Sequence, residues 1–323
     1  MADIIFKGEG AKFSFAKETN YAETPTQGAQ TIWMGIIPSA TIDVVPDYND
    51  YYTITQESNS VQRDLFTERQ GKLNCTGSFP LELQNGRILY YAMGHVAESG
   101  TSPTTHTISG AGSQLPSLVG EAVYRGTNQN FMRYIKGMRI NTYSIEAAEG
   151  AQVSSTVNFI NSKTYKSGNS VSTVTVVTTK PFQFYHGCVI YNDNSSYRIV
   201  SSSWTVNNNL KPLWDIDSTD GQYATSLEAG KRDYELRLTL LVPDSATLYD
   251  DHWEDFINAT NRNAKVTLAR NTTSDYMQLT AYDCTIRNAP YNLPEVGEEV
   301  RVDVVLRPRS CVWVVKDNIS SYD

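Results

Sequence analysis

Apolar and polar residues alternate along much of this chain, and the alternation predicts strands. Leu73, Cys75, Phe79, Leu81 and Leu83 share one side of such a stripe, while Asn74, Thr76, Ser78 and Glu82 share the other. Val153, Val157 and Phe159 oppose Gln152, Ser154, Thr156 and Asn158. Tyr234, Leu236, Leu238, Leu240 and Val242 oppose Glu235, Arg237 and Thr239. Val300, Val302, Val304 and Leu306 oppose Arg301, Asp303 and Arg307. A period of two fits a strand with one dry and one wet face. Further strands are predicted near Trp33–Val45, Ile135–Ile145, Ser170–Thr178, Tyr197–Val206, Lys265–Leu268, Leu279–Arg287 and Cys311–Lys316.

Only two segments carry a helical period. After Asn85-Gly86, Ile88, Leu89, Ala92 and Met93 share one face and Gly94 ends the run. After Pro243, Leu248, Tyr249, His252, Trp253, Phe256 and Ile257 recur at helical spacing, with Asp244 or Ser245 placed to cap the start. Asn192-Asp193-Asn194, Asn207-Asn208-Asn209 and Asp217–Gly221 predict turns, because these residues tolerate positive φ. Ser99–Pro116 reads as a long loop. Residues 1–30, apart from Phe13 and Phe15, read as an arm that could dock on a neighbour.

The order of signals occurs twice. A strand ending at Leu83 leads into a helix, as does one ending at Val242. Asn130-Phe131-Met132 precedes the strand Ile135–Ile145, as Asp275-Tyr276-Met277 precedes Leu279–Arg287. Glu149-Gly150-Ala151-Gln152-Val153 and Val296-Gly297-Glu298-Glu299-Val300 each open a last strand. The repeat predicts an all-β chain of two tandem β-sandwich or barrel domains, each with a short flanking helix. The expected division is an arm at 1–30, a first domain at 31–165, a connection at 166–180 that can hold a strand, and a second domain at 181–323.

Composition agrees with strands and argues against chemistry. Charged residues make up only 19%, with 20 tyrosines in the chain; the shortfall is filled by β-branched, aromatic and small polar residues. The net charge of −8 comes without a basic stripe, so no nucleic-acid grip is expected. Cys75, Cys188, Cys284 and Cys311 lie far apart and form no zinc-type cluster; free thiols are expected, most of them buried. No signal peptide and no membrane-spanning run is expected. His252 has no marked catalytic partner, and Asp215, Asp217 and Asp220 depart from calcium-loop spacing. The carboxylates Asp250, Asp251, Glu254 and Asp255, beside Trp253, could suggest a sugar cleft, but they read better as the wet side of a helix. No catalytic residue, metal or cofactor is expected.

Several segments carry a resemblance. Lys17-Glu18-Thr19-Asn20-Tyr21, Pro25 and Trp33-Met34-Gly35 open the chain. Leu115-Pro116-Ser117-Leu118-Val119 follows, then Tyr134-Ile135-Lys136-Gly137-Met138-Arg139-Ile140-Asn141, then Gly150 and Val153–Phe159. Over residues 15–165 this resembles the tail tube proteins of tailed bacterial and archaeal viruses. Met138 stands where the family has a cysteine-like position. From 180 onward the likeness rests on the repeat.

The resemblance implies a structural virion protein and not an enzyme. Its subunits would form stacked rings, each closing a continuous β-barrel around a channel for viral DNA. Single-domain members form hexameric rings; members with tandem domains form homotrimeric rings with pseudo-sixfold symmetry. Closure also removes exposed strand edges, which otherwise invite pairing. On this reading the wet faces line the lumen, with Thr76, Ser78, Glu82, Thr156, Asn158, Glu235, Thr239 and Asp303 as candidates; an ordinary solvent-facing surface is the competing assignment. Implied partners are further copies of the chain, the tape measure, terminator and baseplate proteins, and DNA passing without sequence-specific binding. No membrane partner is implied, and assembly in the host cytoplasm is expected. Two alternatives stay open: a terminator, distal tail or hub protein of the same fold, which would form one ring per tail, or a non-viral carbohydrate-binding sandwich, which would need exposed aromatic platforms.

Overall fold

The computed structural model describes residues 11–23, 30–33, 39–51, 67–112, 114–125, 130–167, 173–191, 198–216, 219–241, 253–288, 296 and 299–322. The all-β expectation holds. In the first half the strands are β1 (Ala11–Lys17), β2 (Gln30–Trp33), β3 (Thr41–Tyr51), β4 (Thr67–Glu82), β5 (Gly94–Ser99), β6 (Thr104–Gly110), β7 (Leu118–Arg125), β8 (Asn130–Ala148), β9 (Ser154–Asn161), β10 (Lys163–Ser167) and β11 (Thr173–Val176). In the second half they are β12 (Gly187–Tyr191), β13 (Arg198–Asn207), β14 (Lys211–Leu213), β15 (Ser226–Glu228), β16 (Asp233–Leu241), β17 (Arg262–Asn271), β18 (Asp275–Asn288), β19 (Arg301–Arg307) and β20 (Ser310–Asp317). Helix α1 spans Arg87–Met93 and ends on Gly94 in the left-handed conformation, φ 95°. Residues 253–257 form α2; Leu248, Tyr249 and His252 lie outside the described residues.

One antiparallel sheet runs through both halves. Its strands lie in the order β3, β4, β9, the C-terminal part of β8, β13, β16, β19 and the end of β18. A second layer covers each half. Over the first, β2, β1, β7, the N-terminal part of β8 and β10 pair in order, with β11 parallel to β2. Over the second, β6, β20, the N-terminal part of β18, β17 and β12 pair in order, with β5 beyond β6. The layers meet through aromatic rings: Phe13 and Phe15 of β1 lie 5.1 and 5.6 Å from Phe79 of β4, and Trp204 of β13 lies 5.3 Å from Trp313 of β20. Sheets with one apolar face must bury it in this way.

Two segments differ from the sequence pattern. Ala11–Lys17, inside the expected arm, pairs with β7 along its whole length. Phe13, Ser14, Phe15 and Ala16 are all buried, so the strand has no wet side over this stretch and offers no alternation to read. Ser99–Pro116, read as a loop, contains β6, whose inward side is Thr104, His106 and Ile108. Its strand-like burial is disguised because two of those three buried side chains are polar.

The recurrence extends to irregularities. β8 bends between layers at Gly137, φ 61°, and β18 at Asp283, φ 49°. Just beyond, β8 carries a bulge between Ile140 and Thr142 against β9, and β18 one between Ile286 and Asn288 against β19. Before the bend, β7 breaks register between Leu118 and Gly120, and β17 between Arg262 and Ala264. Aligning these marks makes Ile286 the counterpart of Ile140, Leu306 of Phe159, Leu236 of Gly77 and Trp204 of Ile42. Bulges bend strands where a sheet must turn a corner.

The halves are stitched together. β8 pairs with β13 from Thr142↔Asn207 to Ala148↔Ser201. In the outer layer β6 of the first half pairs with β20 of the second. Buried Asn208 donates from Nδ2 to the carbonyls of Ala92 (2.9 Å) and Ile140 (3.0 Å), while its own N–H donates to Asn141 O (2.8 Å). The C-terminal segment closes this junction. Tyr322 stacks on His106 at 3.8 Å, its hydroxyl donates to Asp317 (2.5 Å) and its N–H to Glu98 (2.7 Å).

Candidate functional site

The eight-stranded sheet has one buried and one open face. Phe79, Tyr143, Val157, Trp204, Leu238 and Val304 represent the buried side. The open side is a lattice of short polar residues. One row runs Ser78, Asn158, Thr142, Asn207, Asp233 across five strands. The next runs Thr156, Ser144, Thr205, Glu235, and the next Glu82, Ser154, Glu146, Ser203, Arg237. A last row joins Ser201, Thr239 and Asp303. Thr76 lies one row beyond Ser78 on the same face. The structure thus brings all eight residues singled out from the sequence onto one face of one sheet. Alternation alone could assign each to a wet side, but not bring the wet sides together.

The face is knit by its own hydrogen bonds. Ser201 Oγ donates to Thr239 Oγ1 (2.9 Å), whose hydroxyl donates to Asp303 Oδ1 (2.8 Å), linking three strands. Three arginines, all in the second half, are each held by a carboxylate. Arg237 meets Glu235 at 2.5 Å, Arg307 meets Asp233 at 2.6 Å and Arg301 meets Glu299 at 3.3 Å. The Arg307 guanidinium holds the Asp233 carboxyl below its ordinary range. Exposed pairs of this kind add little stability. Their consequence is electrostatic: the face presents hydroxyls and carboxylates, and these three arginines have their charge offset by a carboxylate neighbour.

The other sequence candidates are placed elsewhere. Asp255 is buried and accepts two bonds from Arg262, at 2.7 and 2.6 Å, so it braces α2 against β17. Asp220 pairs with Lys163. Among the described residues no group of His, Cys, Asp and Glu is arranged to hold a metal ion. Cys75, Cys284 and Cys311 are buried free thiols and Cys188 an exposed one; burial pushes Cys284 and Cys311 up to about 12. Among the described residues no helix is long and apolar enough to cross a membrane.

Sequence reasoning missed the side chains at the sheet's end. Among the described residues β3 pairs with β4 alone, and its Val44, Val45 and Tyr48 are 41%, 55% and 55% exposed. The signal was present in the unbroken apolar pair Val44-Val45, which strict alternation discards.

A family model described as phage tail tube protein matches residues 8–304. No curated protein matches the chain.

Proposed function

Because the chain belongs to the phage tail tube protein family, we propose that it is the repeating subunit of a tail tube, in which three copies form each ring, rings stack, and viral DNA passes through the channel. The two halves act as two tube domains, so a ring of three chains has pseudo-sixfold symmetry. The observation that carries this reading is the recurrence of one strand order, joined edge to edge by β8 and β13 within a single sheet. Four strands from each half enter that sheet, and the two bends and bulges coincide. A chain that already joins two such units through one sheet edge supplies the geometry for adding a third.

The open polar face lines the channel on this reading, with Thr76, Ser78, Glu82, Thr156, Asn158, Glu235, Thr239 and Asp303 toward DNA. Such a wall needs low adhesion, not recognition, and no bond is made or broken there. Tape measure, terminator and baseplate proteins are the partners along and at the ends of the tube, and assembly takes place in the host cytoplasm. On this reading the first domain takes in β1 together with 31–165, and the second stays near 181–323. Since β1 belongs to the sheet, an arm that contacts the next ring is restricted to residues 1–10.

Electron microscopy of the purified protein, with end-on class averages, tests this. Hollow stacked rings with threefold modulation of the wall are expected. Strict sixfold rings would refute two unequal domains per chain. Single unstacked rings would move the assignment to a terminator or hub protein of the same fold.

A further inference from the structure

Where the end of the chain closes on the first half, one buried ring is surrounded by acceptors. The side chain of His106 in β6 is fully buried. Its Nδ1 lies 3.1 Å from Glu98 Oε1 of β5, and its Nε2 lies 3.0 Å from the Ile319 carbonyl and 3.3 Å from Asp317 Oδ1. Both carboxylates are already accepting elsewhere. Glu98 Oε1 takes the Tyr322 N–H at 2.7 Å, Asp317 Oδ1 the Ile319 N–H at 2.9 Å, and Asp317 Oδ2 the Tyr322 hydroxyl at 2.5 Å. Among the described residues, then, both ring nitrogens meet oxygens that accept. Both must donate, which only the imidazolium can do. The Tyr322 ring, stacked on His106 at 3.8 Å, also favours a cation there.

The same bonds fasten the end of the chain. Beyond Asp317 the backbone reaches Glu98 and His106, and then α1: Gly86 N–H donates to the Tyr322 hydroxyl at 3.1 Å, and Arg87 Nη2 donates to Ser321 O at 2.8 Å. A neutral ring keeps one N–H. With that proton on Nδ1, the Nε2 lone pair faces the Ile319 carbonyl. With it on Nε2, the Nδ1 lone pair faces the Glu98 oxygen that holds the Tyr322 N–H. Either tautomer sets the terminal segment against the ring. The charged groups around it are Glu98 from β5, Asp317 from β20 and, through the terminal segment, Arg87 from α1. Burial pushes the Tyr322 phenol well above its ordinary range, so His106 is the group that changes charge near neutrality. The ladder of β6 on β20, from Val312↔Ser109 to Asp317↔Thr104, is backbone pairing that does not pass through the ring. We infer that residues 318–322 form a proton-locked clasp, which holds β5, β6 and α1 while His106 is charged and releases them, with the sheets intact, when the ring loses a proton. Such a release is a local opening and not unfolding.

The test is trimming of the full-length soluble chain by carboxypeptidase Y, read as release of Tyr322 by mass spectrometry. Dividing by the rate for a free peptide of residues 318–323 removes the protease's own pH dependence. The ratio is expected to stay low up to pH 6.5, to rise by up to about tenfold per pH unit as the proton is lost, and then to level off, while circular dichroism keeps its β signal. A ratio independent of pH, or a rise only where the β signal is also lost, overturns the inference. His106→Gln, whose amide can donate on one side only, should be trimmed fast at every pH; a variant that keeps the native profile overturns it as well. The native ring gives a reading that needs no variant. Nitrogen-edited NMR spectra should show a histidine protonated on both nitrogens that titrates above 6.5, in step with the rise in trimming. Titration of His106 at or below 6.5 sinks the clasp.

Discussion

The two halves of this chain share a strand order yet solve the same mechanical problem with different residues. Both long strands turn from the outer to the inner layer through a left-handed residue, Gly137 in β8 and Asp283 in β18. The first site is crowded: a Cβ on Gly137 would lie 2.9 Å from Ser162 Cβ, and Glu18 accepts its N–H at 2.7 Å. The second is open, with Asp283 exposed and its N–H donating to Asn263 Oδ1 at 3.1 Å. At the matched core position the second half uses Trp204 where the first uses Ile42. The difference teaches that the repeat is held by backbone geometry, while side chains are adjusted to whether a position lies inside a chain or at its end.

The sharpest way to break the comparison is at Trp204, which contacts Tyr143, Tyr234 and Trp313. Trp204→Ala should cost about 3–5 kcal/mol in chemical denaturation, by loss of transfer energy and the cavity left behind. Ile42→Ala, at the matched but half-open position, should cost less in the unassembled chain. Equal losses would show that the counterpart sites are not distinct.

Next comes the bond set at Asn208. Asn208→Ala leaves two buried carbonyls without their donor and Arg232 Nε without its acceptor. A loss of about 2 kcal/mol is expected from unfolding curves, since each orphaned buried group costs about 1–3 kcal/mol. Pro46→Ala, at the counterpart, should leave monomer stability nearly unchanged.

The C-terminal contact makes the halves unequal with pH. His106 lies between Glu98 (3.1 Å) and Asp317 (3.3 Å), with Ile319 O at 3.0 Å. Burial works against its charge, but bonding to Asp317 and Glu98 wins and raises its pKa above 6.5. A raised folded value means the contribution is complete below 6.5 and is lost as pH rises through the folded pKa. Glu98 acts at the other end: burial opposes its charge, but the Tyr322 N–H, Ser321 and His106 outweigh it, so its share disappears as pH falls below 4.5. Melting temperatures should therefore fall on the alkaline side in the native chain, and this slope should vanish in His106→Gln. The smallest effect is at Asp283. Asp283→Gly should stabilise by about 0.5 kcal/mol through relief at positive φ, whereas Gly137→Ala should destabilise by more than that.

Much of this was legible beforehand. Val153 and Val300 are structural counterparts, so that sequence anchor is in true register, while Val242 lies outside the described residues. The third is displaced by one: Phe131, not Met132, corresponds to Met277, because matching letters hid the register that the paired strands define. The polar lattice could be assigned strand by strand, but its assembly into one face depends on β8 meeting β13, a pairing that no local pattern encodes. β6 and the His106 site were invisible for a related reason. Their inward residues are polar and are satisfied only by the end of the chain, beyond the reach of a periodicity window.

The hairpin of β5 and β6 belongs to the first half, but its outer edge is completed by β20, far along the second half. His106 waits 213 residues for Ile319. Contacts so distant in sequence form late, because the intervening chain must first be closed into a loop. A chain still being synthesised therefore holds an unfinished first half, with β6 lacking its neighbour until β20 is made.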